Sequence, residues 1–171
     1  MHELAVTAIG SDRPGIVAAV TRVLQDRGGN LEDSAMTILG GHFAIVLLVA
    51  TEEDAETLSS ALAEATSELG LTVSVSRADG RRKPVDATHL LSVYGTDRPG
   101  IVAGVTETLA ELGANITDLE TQVIGSGDDA VYAMVIELVA PEDEGLAGRL
   151  DDVCTRLGVD HTLRSIEAET Y

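Results

Sequence analysis

Apolar residues recur at helical spacing in two stretches of the first half of the chain. From Pro14 to about Arg27 they fall on one face of a helix, with Pro14 near the first turn and Gly28 beyond the last. The residues on this face, predicted to be buried, are Ile16, Val17, Val20, Val23 and Leu24. A second apolar stripe follows the acidic run Glu52-Glu53-Asp54, which favours a helix N-terminus. Gly70 is predicted to end this helix. Its members are Leu58, Leu62, Ala65 and Leu69. The spacing predicts two helices.

Shorter apolar-rich runs lie before, between and after these helices, and they are typical of β-strands. The runs are Leu4–Gly10, Asn30–Leu39, His42–Thr51 and Leu71–Ala78. The middle two flank Gly40-Gly41, a dipeptide suited to a two-residue hairpin turn that needs positive φ. The predicted order of elements is therefore β-α-β-β-α-β.

The whole pattern occurs twice. The segment that begins at Gly10 returns at Gly95, and 14 of the 24 residues from position 10 to 33 are identical to their partners. Farther along, the offset grows from 85 to 88 or 89, because the second copy carries extra residues in the stretch 125–129. Leu58 and Leu62 then match Leu146 and Leu150. The match extends through the whole chain and indicates an internal duplication.

Two such units of about 80 residues predict an α+β fold of two tandem ferredoxin-like domains, each with four antiparallel strands and two helices on one face. The predicted boundaries are residues 1–79 for the first domain, 80–87 for a polar, breaker-rich linker and 88–171 for the second domain. A single unit of this size has a thin core and open sheet edges, so we expect an internal pseudo-dimer of the two copies.

Composition and charge narrow the class of protein. With 29 acidic and 11 basic residues the net charge is -18, which repels phosphate backbones and anionic lipid, so neither direct nucleic-acid binding nor membrane attachment is expected. The few aromatic residues leave little to stack a base. Cys154, the single cysteine, fits a reducing cytoplasm. The first residues lack a signal-peptide pattern and no apolar run is long enough to span a bilayer, so a cytoplasmic location is expected.

This sequence does not contain the residues that three common functions of the ferredoxin-like fold require. An RNA-binding domain needs aromatics on its central strands and a basic face. A metal-transfer domain needs paired cysteines after the first strand. An acyl phosphate hydrolase needs an anion-cradling loop with an Arg and an Asn, and that loop is not evident. Histidine spacing suggests no zinc site, and no acid, base and nucleophile set is recognisable. We expect no metal, no cofactor and no enzymatic activity, and we interpret Cys154 as a buried or half-buried inert thiol.

The loop after the first strand carries the same motif in both copies. Asp12-Arg13-Pro14-Gly15-Ile16-Val17 is followed, after the predicted helix, by Asn30-Leu31. Asp97-Arg98-Pro99-Gly100-Ile101-Val102 is followed in the same way by Asn115-Ile116. This signature resembles the ACT domain, the small-molecule-sensing module of amino-acid metabolism. The resemblance implies that the Asn positions contact a ligand lodged between two domains.

A free amino acid has a carboxylate and an ammonium group, so a binding site needs donors for one and acceptors for the other. The N–H groups of each Gly-Ile pair are predicted to point out of a helix N-terminus, where the macrodipole favours an anion. The aspartates would accept from the ammonium, the asparagines offer a donor and an acceptor, and the arginines could pair with the carboxylate. The candidate ligand-binding residues are Asp12, Arg13, Gly15, Ile16 and Asn30 in the first copy and Asp97, Arg98, Gly100, Ile101 and Asn115 in the second.

These residue types also have structural interpretations. The aspartates stand where an N-cap would satisfy the first N–H groups of the helix, and the sequence favours capping and ligand contact equally. Pro14 and Pro99 are expected to pre-set the first helical turn. For the arginines a solvated side chain or a weak surface ion pair is favoured. For the asparagines a turn role through local hydrogen bonds competes with binding.

The hypothesis that follows is a non-enzymatic sensor that binds a small amino acid, with glycine or serine suggested, at the interface of its two ACT domains. Its output would pass through a protein partner, a regulator or a metabolic enzyme, and any effect on transcription would be indirect. A homodimer is compatible with this hypothesis. The alternative is a ligand-independent regulatory or structural subunit of an amino-acid metabolic enzyme.

Overall fold

The computed structural model describes residues 1–78, 85–126, 130–141 and 145–166. The chain divides into two compact units, residues 1–82 and 83–171. The predicted linker, 80–87, lies largely outside the described residues, so its bounds stay a prediction.

Among the described residues, unit 1 forms one four-stranded antiparallel sheet with two α-helices. Its elements are β1 (His2–Ser11), α1 (Ile16–Asp26), β2 (Asn30–Leu39), β3 (His42–Thr51), α2 (Ala55–Ala65), a 3-10 turn (Ser67–Leu69) and β4 (Thr72–Arg77). The strand order across the sheet is β2-β3-β1-β4, with β2 and β4 at the edges.

Unit 2 repeats the same order within its described residues. Its elements are β5 (His89–Gly95), α3 (Ile101–Glu111), β6 (Asn115–Ile124), β7 (Val131–Val139), α4 (Leu146–Leu157) and β8 (Asp160–Ser165). The sheet order is β6-β7-β5-β8, again antiparallel throughout. The predicted tandem ferredoxin-like fold is confirmed.

The core of unit 1 lies between the sheet and its two helices, because alternate residues of the central strands β1 and β3 point to the helix side. The buried set is Leu4, Val6, Ala8, Ile16, Val20, Leu24, Phe43, Ile45, Leu47, Val49, Leu58 and Leu62. The predicted helical stripes supply most of the helix side. Val17 is an exception: it is 41% exposed, because it lies one residue, about 100° of helix rotation, past the buried Ile16.

Both helices of unit 1 are shorter than predicted. α1 begins at Ile16 because Gly15 has φ 94, a left-handed conformation that an α-helix cannot contain. Pro14 therefore precedes the helix and does not pre-set its first turn. α2 ends at Ala65, where Thr66 turns its hydroxyl back onto the main-chain oxygen of Leu62. The tighter 3-10 turn then carries the chain to Gly70.

The hairpin between β2 and β3 has the predicted positive φ at Gly40 and Gly41, 58° and 81°. A feature that the sequence pattern does not predict lies at the other end of these strands. The register of β2 shifts between Leu31 and Asp33, and that of β6 shifts at the equivalent point, between Ile116 and Asp118. Each edge strand thus carries a bulge one residue long at the same place.

Candidate functional site

The loop from Asp12 to Gly15 joins β1 to α1 and is fixed at both ends. The main-chain N–H of Asp12 donates to the oxygen of Gly41 at 2.9 Å, and the oxygen of Gly15 accepts from the N–H of Ala19 at 2.9 Å. Within the described part of the chain, no side chain caps the first turn of α1. The N–H groups of that turn therefore point away from the helix, as they do in sites that bind anions.

Unit 2 has the same loop geometry. Gly100 is the N-cap of α3 with φ 97, and its oxygen accepts from the N–H of Gly104 at 2.9 Å. Here too the first turn has no side-chain cap among the described residues. The capping interpretation of Asp12 and Asp97 is therefore wrong, because a left-handed glycine three residues farther on occupies the N-cap position of each helix.

The loop arginines bind main-chain oxygens at the end of the second helical segment of each unit. Arg98 Nη2 donates to the oxygens of Leu157 at 3.2 Å and Gly158 at 3.1 Å. Arg13 Nη1 makes the equivalent, longer contact with the oxygen of Glu68 at 3.5 Å. A cation at a helix C-terminus is favourable because it offsets the partial negative charge there. Both arginines are exposed, as expected for solvated side chains, and their contacts with main-chain oxygens add a positioning role that the sequence did not predict.

Close packing of a glycine fixes the strand end before each loop. A Cβ added at Gly95 would lie 2.7 Å from Val159 Cγ1, and one added at Gly10 would lie 2.7 Å from Leu71 Cδ2. Both distances are too short for carbon atoms, so a larger residue would force either the neighbouring side chain or the strand end to shift. Together with the arginine contacts, these glycines hold each loop against the segment that follows the second helix.

Asn30 does not lie near the Asp12 loop of its own unit. It opens β2 opposite Ala50, and Ala50 lies opposite Glu3 near the start of β1. Ser11, at the end of β1, is eight residues farther along, about 26 Å at 3.3 Å per residue. Asn30 and Asp12 of one unit are therefore at opposite ends of the sheet and cannot contact the same small ligand.

The same separation occurs in unit 2. Asn115 lies opposite Val139, next to the start of β5, where His89 pairs with Leu138. The loop that contains Asp97 follows the other end of β5, where Gly95 pairs with Tyr132. The structure thus brings together the aspartate, arginine, glycine and isoleucine of each predicted site, and it leaves the asparagine apart.

One polar side chain near the second loop was not singled out from the sequence. Tyr132 is 8% exposed and lies opposite Gly95 in the sheet. Gly95 in turn precedes Asp97 by two residues. Burial raises the pKa of its phenol, the charge of Asp97 raises that pKa further, and a hydrogen bond with Thr121 opposes both effects. The repeat could have drawn attention to it, because Phe43 occupies the equivalent position in unit 1.

The remaining candidate groups are arranged as expected for structural roles. Cys154 is buried in α4. Burial and, to a smaller extent, the nearby charge of Asp151 raise the pKa of its thiol, which makes the thiol a poor nucleophile.

The described residues contain no group of three His, Cys, Asp or Glu side chains placed to hold a metal ion. In the same ranges, every helix is too short or too polar to cross a lipid bilayer.

Comparison with known proteins gives matches to each unit and to the whole chain. The ACT domain family matches residues 2–76 and, separately, residues 89–154. The glycine cleavage system transcriptional repressor of Escherichia coli is 31% identical over 141 residues, covering 81% of this chain and 74% of the repressor. A UPF0237 protein of Methanopyrus kandleri is 43% identical over 82 residues, 46% of this chain and 91% of that protein. The crystal structure of an unknown protein from Galdieria sulphuraria has a TM-score of 0.82 at 33% identity, covering 97% of this chain and 99% of that one.

Proposed function

The chain belongs to the ACT domain family, with one ACT domain in each half, and we propose that it is a non-enzymatic regulator that binds a small amino acid at the loop after the first strand of each domain. The observation that carries the proposal is the uncapped helix tip. In both units a left-handed glycine immediately precedes the first turn of the helix. No described side chain accepts a hydrogen bond from the main-chain N–H groups of that turn.

These tips suit the carboxylate of an amino acid. Main-chain N–H groups and the positive end of the helix dipole stabilise an anion. Asp12 and Asp97, which do not cap the helices, supply an acceptor for the ammonium group. Arg13 and Arg98 hold the loop in place through main-chain oxygens and are positioning residues in this proposal.

The asparagines enter the proposal from a second ACT domain. Asn30 lies at the opposite end of its own sheet from Asp12, so it can reach a ligand at a loop only when another domain presents that loop. An antiparallel neighbour along β2 has this property, because the start of one strand then lies beside the end of the other. A ligand held in this way would bind more tightly to one domain arrangement than to another, which is what a sensor requires.

The output of the sensor is proposed to pass through a protein partner. A net charge of -18 opposes contact with DNA phosphates, so an effect on transcription would be indirect. Glycine and serine are the proposed ligands, since small side chains fit an exposed loop that offers main-chain contacts. A cytoplasmic location completes the proposal.

Thermal melting of the full chain against the twenty amino acids tests this function. A specific ligand at about 100 times its Kd should add roughly 2.7 kcal/mol of stability. Replacing both loop aspartates, Asp12→Ala with Asp97→Ala, should abolish the shift and leave the unliganded melting temperature nearly unchanged. Asp26→Ala, at the far end of α1, is the matched control and should keep the shift. The proposal fails if no amino acid raises the melting temperature, or if the control loses the shift equally.

A further inference from the structure

We propose that the open face of the unit 1 sheet, the face opposite its two helices, is a self-association surface that packs against the same face of a second copy of this chain. The proposal does not depend on amino-acid binding. It rests on the side chains of this face, on their exposure, and on a comparison with the equivalent face of unit 2.

The sheet register identifies the side chains of the open face. Leu4, Val6 and Ala8 of β1 are fully buried on the helix side, so the residues that alternate with them point the other way. Each of these alternate residues pairs with one residue of β3 on that same face. The two central strands thus contribute Ala5, Thr7, Ile9, Ala44, Val46 and Leu48. β4 adds only serine and threonine side chains beside them.

The larger apolar side chains of the open face are accessible to solvent. Ile9 is 55% exposed and Val46 is 47% exposed, although both lie on the central strands of the sheet. Their neighbours on the helix side, Ala8 and Ile45, are 0% and 4% exposed. The solvated face of an antiparallel sheet is ordinarily polar. An apolar patch in the middle of such a face indicates an interaction surface.

The equivalent face of unit 2 carries charge where that of unit 1 does not. The sheet registers match four uncharged positions of unit 1 with three carboxylates and one arginine of unit 2. Leu48 corresponds to Glu137, Ala35 to Glu120, Thr72 to Asp160 and Ser76 to Arg164. Since both units have the same fold, the fold itself does not require an uncharged face. The uncharged face is a property of unit 1 alone.

Charge favours a second copy of unit 1 as the occupant of this face. At a net charge of -18, two copies repel each other unless the surfaces that meet are free of carboxylates. Two unit 2 faces would bring carboxylates together. Two unit 1 faces meet through small and aliphatic side chains, because their paired carboxylates, Glu3 and Asp33, lie near the end where β1 begins. A basic partner would find little negative charge to pair with there.

The open face is large enough for a stable contact. β1, β2 and β3 are each ten residues long. A sheet of four such strands is about 19 Å wide and about 33 Å long, so two faces cover about 1,200 Å² together. A specific interface needs about 1,000 Å² or more. Because both copies use the same patch, the contact is isologous and closes as a two-fold pair.

Sedimentation equilibrium of the full chain without added amino acid tests the proposal. Ile9→Lys is compared with Tyr94→Lys, which changes the equivalent residue of unit 2, 42% exposed and opposite Ala133. We expect the unaltered chain to self-associate, Ile9→Lys to raise the dissociation constant at least about tenfold, and Tyr94→Lys to leave it unchanged. Val46→Lys, on the neighbouring strand, should behave as Ile9→Lys does.

The lysine variants separate packing from overall charge. Each one lowers the net negative charge equally, so weaker association does not come from greater repulsion between the chains. Circular dichroism melts check that each variant is folded.

A monomeric unaltered chain would overturn the proposal. So would an association that Ile9→Lys and Val46→Lys leave unchanged, or one that Tyr94→Lys weakens equally. Because the experiment contains no amino acid, a failure here leaves the sensing proposal standing. A chain that self-associates as predicted but shows no thermal shift with any amino acid would do the reverse.

Discussion

Phe43 and Tyr132 occupy the same position in the two units, each opposite the glycine that ends the first strand. Phe43 lies opposite Gly10 and Tyr132 opposite Gly95, and both are buried against the helices. Only the tyrosine adds a hydroxyl, and Asp97, which raises its pKa, and Thr121, which lowers it, act on this group in opposite directions. The two loops, nearly identical in sequence, thus differ in the chemistry directly beneath them.

This difference predicts a pH effect at the alkaline end. Burial raises the pKa of Tyr132 above its ordinary value of 10.0, so between that value and the higher folded pKa the folded state keeps a proton that the unfolded state has lost. The contribution of Tyr132 to stability is therefore constant below pH 10 and falls as the pH rises beyond it. Tyr132→Phe should make this fall shallower in urea unfolding followed by circular dichroism. Tyr94→Phe, at a tyrosine 42% exposed, is the control, and equal slopes for the two variants would contradict the prediction.

The arginine contacts predict unequal effects at the two loops. Arg98→Met removes two hydrogen bonds to the end of α4, a loss of about 1 kcal/mol for an exposed charged donor. The amides of Gly158 and Val159, which donate to Thr155 and Cys154, should then exchange with solvent roughly fivefold faster or more. Arg13→Met, whose contact is 3.5 Å long, should change exchange near Gly70 by less. Equal changes in amide exchange at the two sites would contradict the prediction that the Arg98 contacts stabilise their segment more than the Arg13 contact does.

The glycine at each helix tip predicts a cost that arises from the backbone alone. A Cβ at Gly15 would meet no atom within 4 Å, but φ is +94, so Gly15→Ala should destabilise the protein by roughly 1–2 kcal/mol. Gly148→Ala is the matched control: it also meets nothing within 4 Å, and it lies inside α4 without positive φ. That change should stabilise the protein by roughly 0.5–1 kcal/mol. Urea unfolding checks both signs, and a neutral Gly15→Ala would show that the loop tolerates another conformation.

The fold could be predicted from sequence because its signals are local and occur twice. The strand order along the chain, the Gly40-Gly41 turn and the buried helical stripes follow from periodicity and turn chemistry, and the duplication repeats each signal. The start of α1 could not be predicted from sequence, because Pro14 is equally compatible with a first helical turn. Only the backbone shows that Gly15 is left-handed. The bulges after Leu31 and Ile116 leave no signal in the hydrophobic pattern.

The candidate site was predictable only in part, for a reason of geometry. Residues adjacent in sequence, from Asp12 to Ile16, stay together in the loop. Asn30 shares the family motif but is separated from Asp12 by the full length of a strand, and sequence spacing does not show this. The main-chain partners of Arg98 lie 59 and 60 residues away along the chain, and Asp97 is distant in sequence from Tyr132, so neither relationship is visible in the local sequence.

A titration of the isotope-labelled full chain with glycine and with serine, followed by amide nuclear magnetic resonance, tests amino-acid binding at the loops most directly. The predicted result is that the amides of Gly15, Ile16, Gly100 and Ile101 shift along a saturable curve, and that Asp12→Ala with Asp97→Ala removes the shifts. Spectra that stay unchanged at these four amides at high concentrations of both amino acids, or that change only elsewhere, would contradict it.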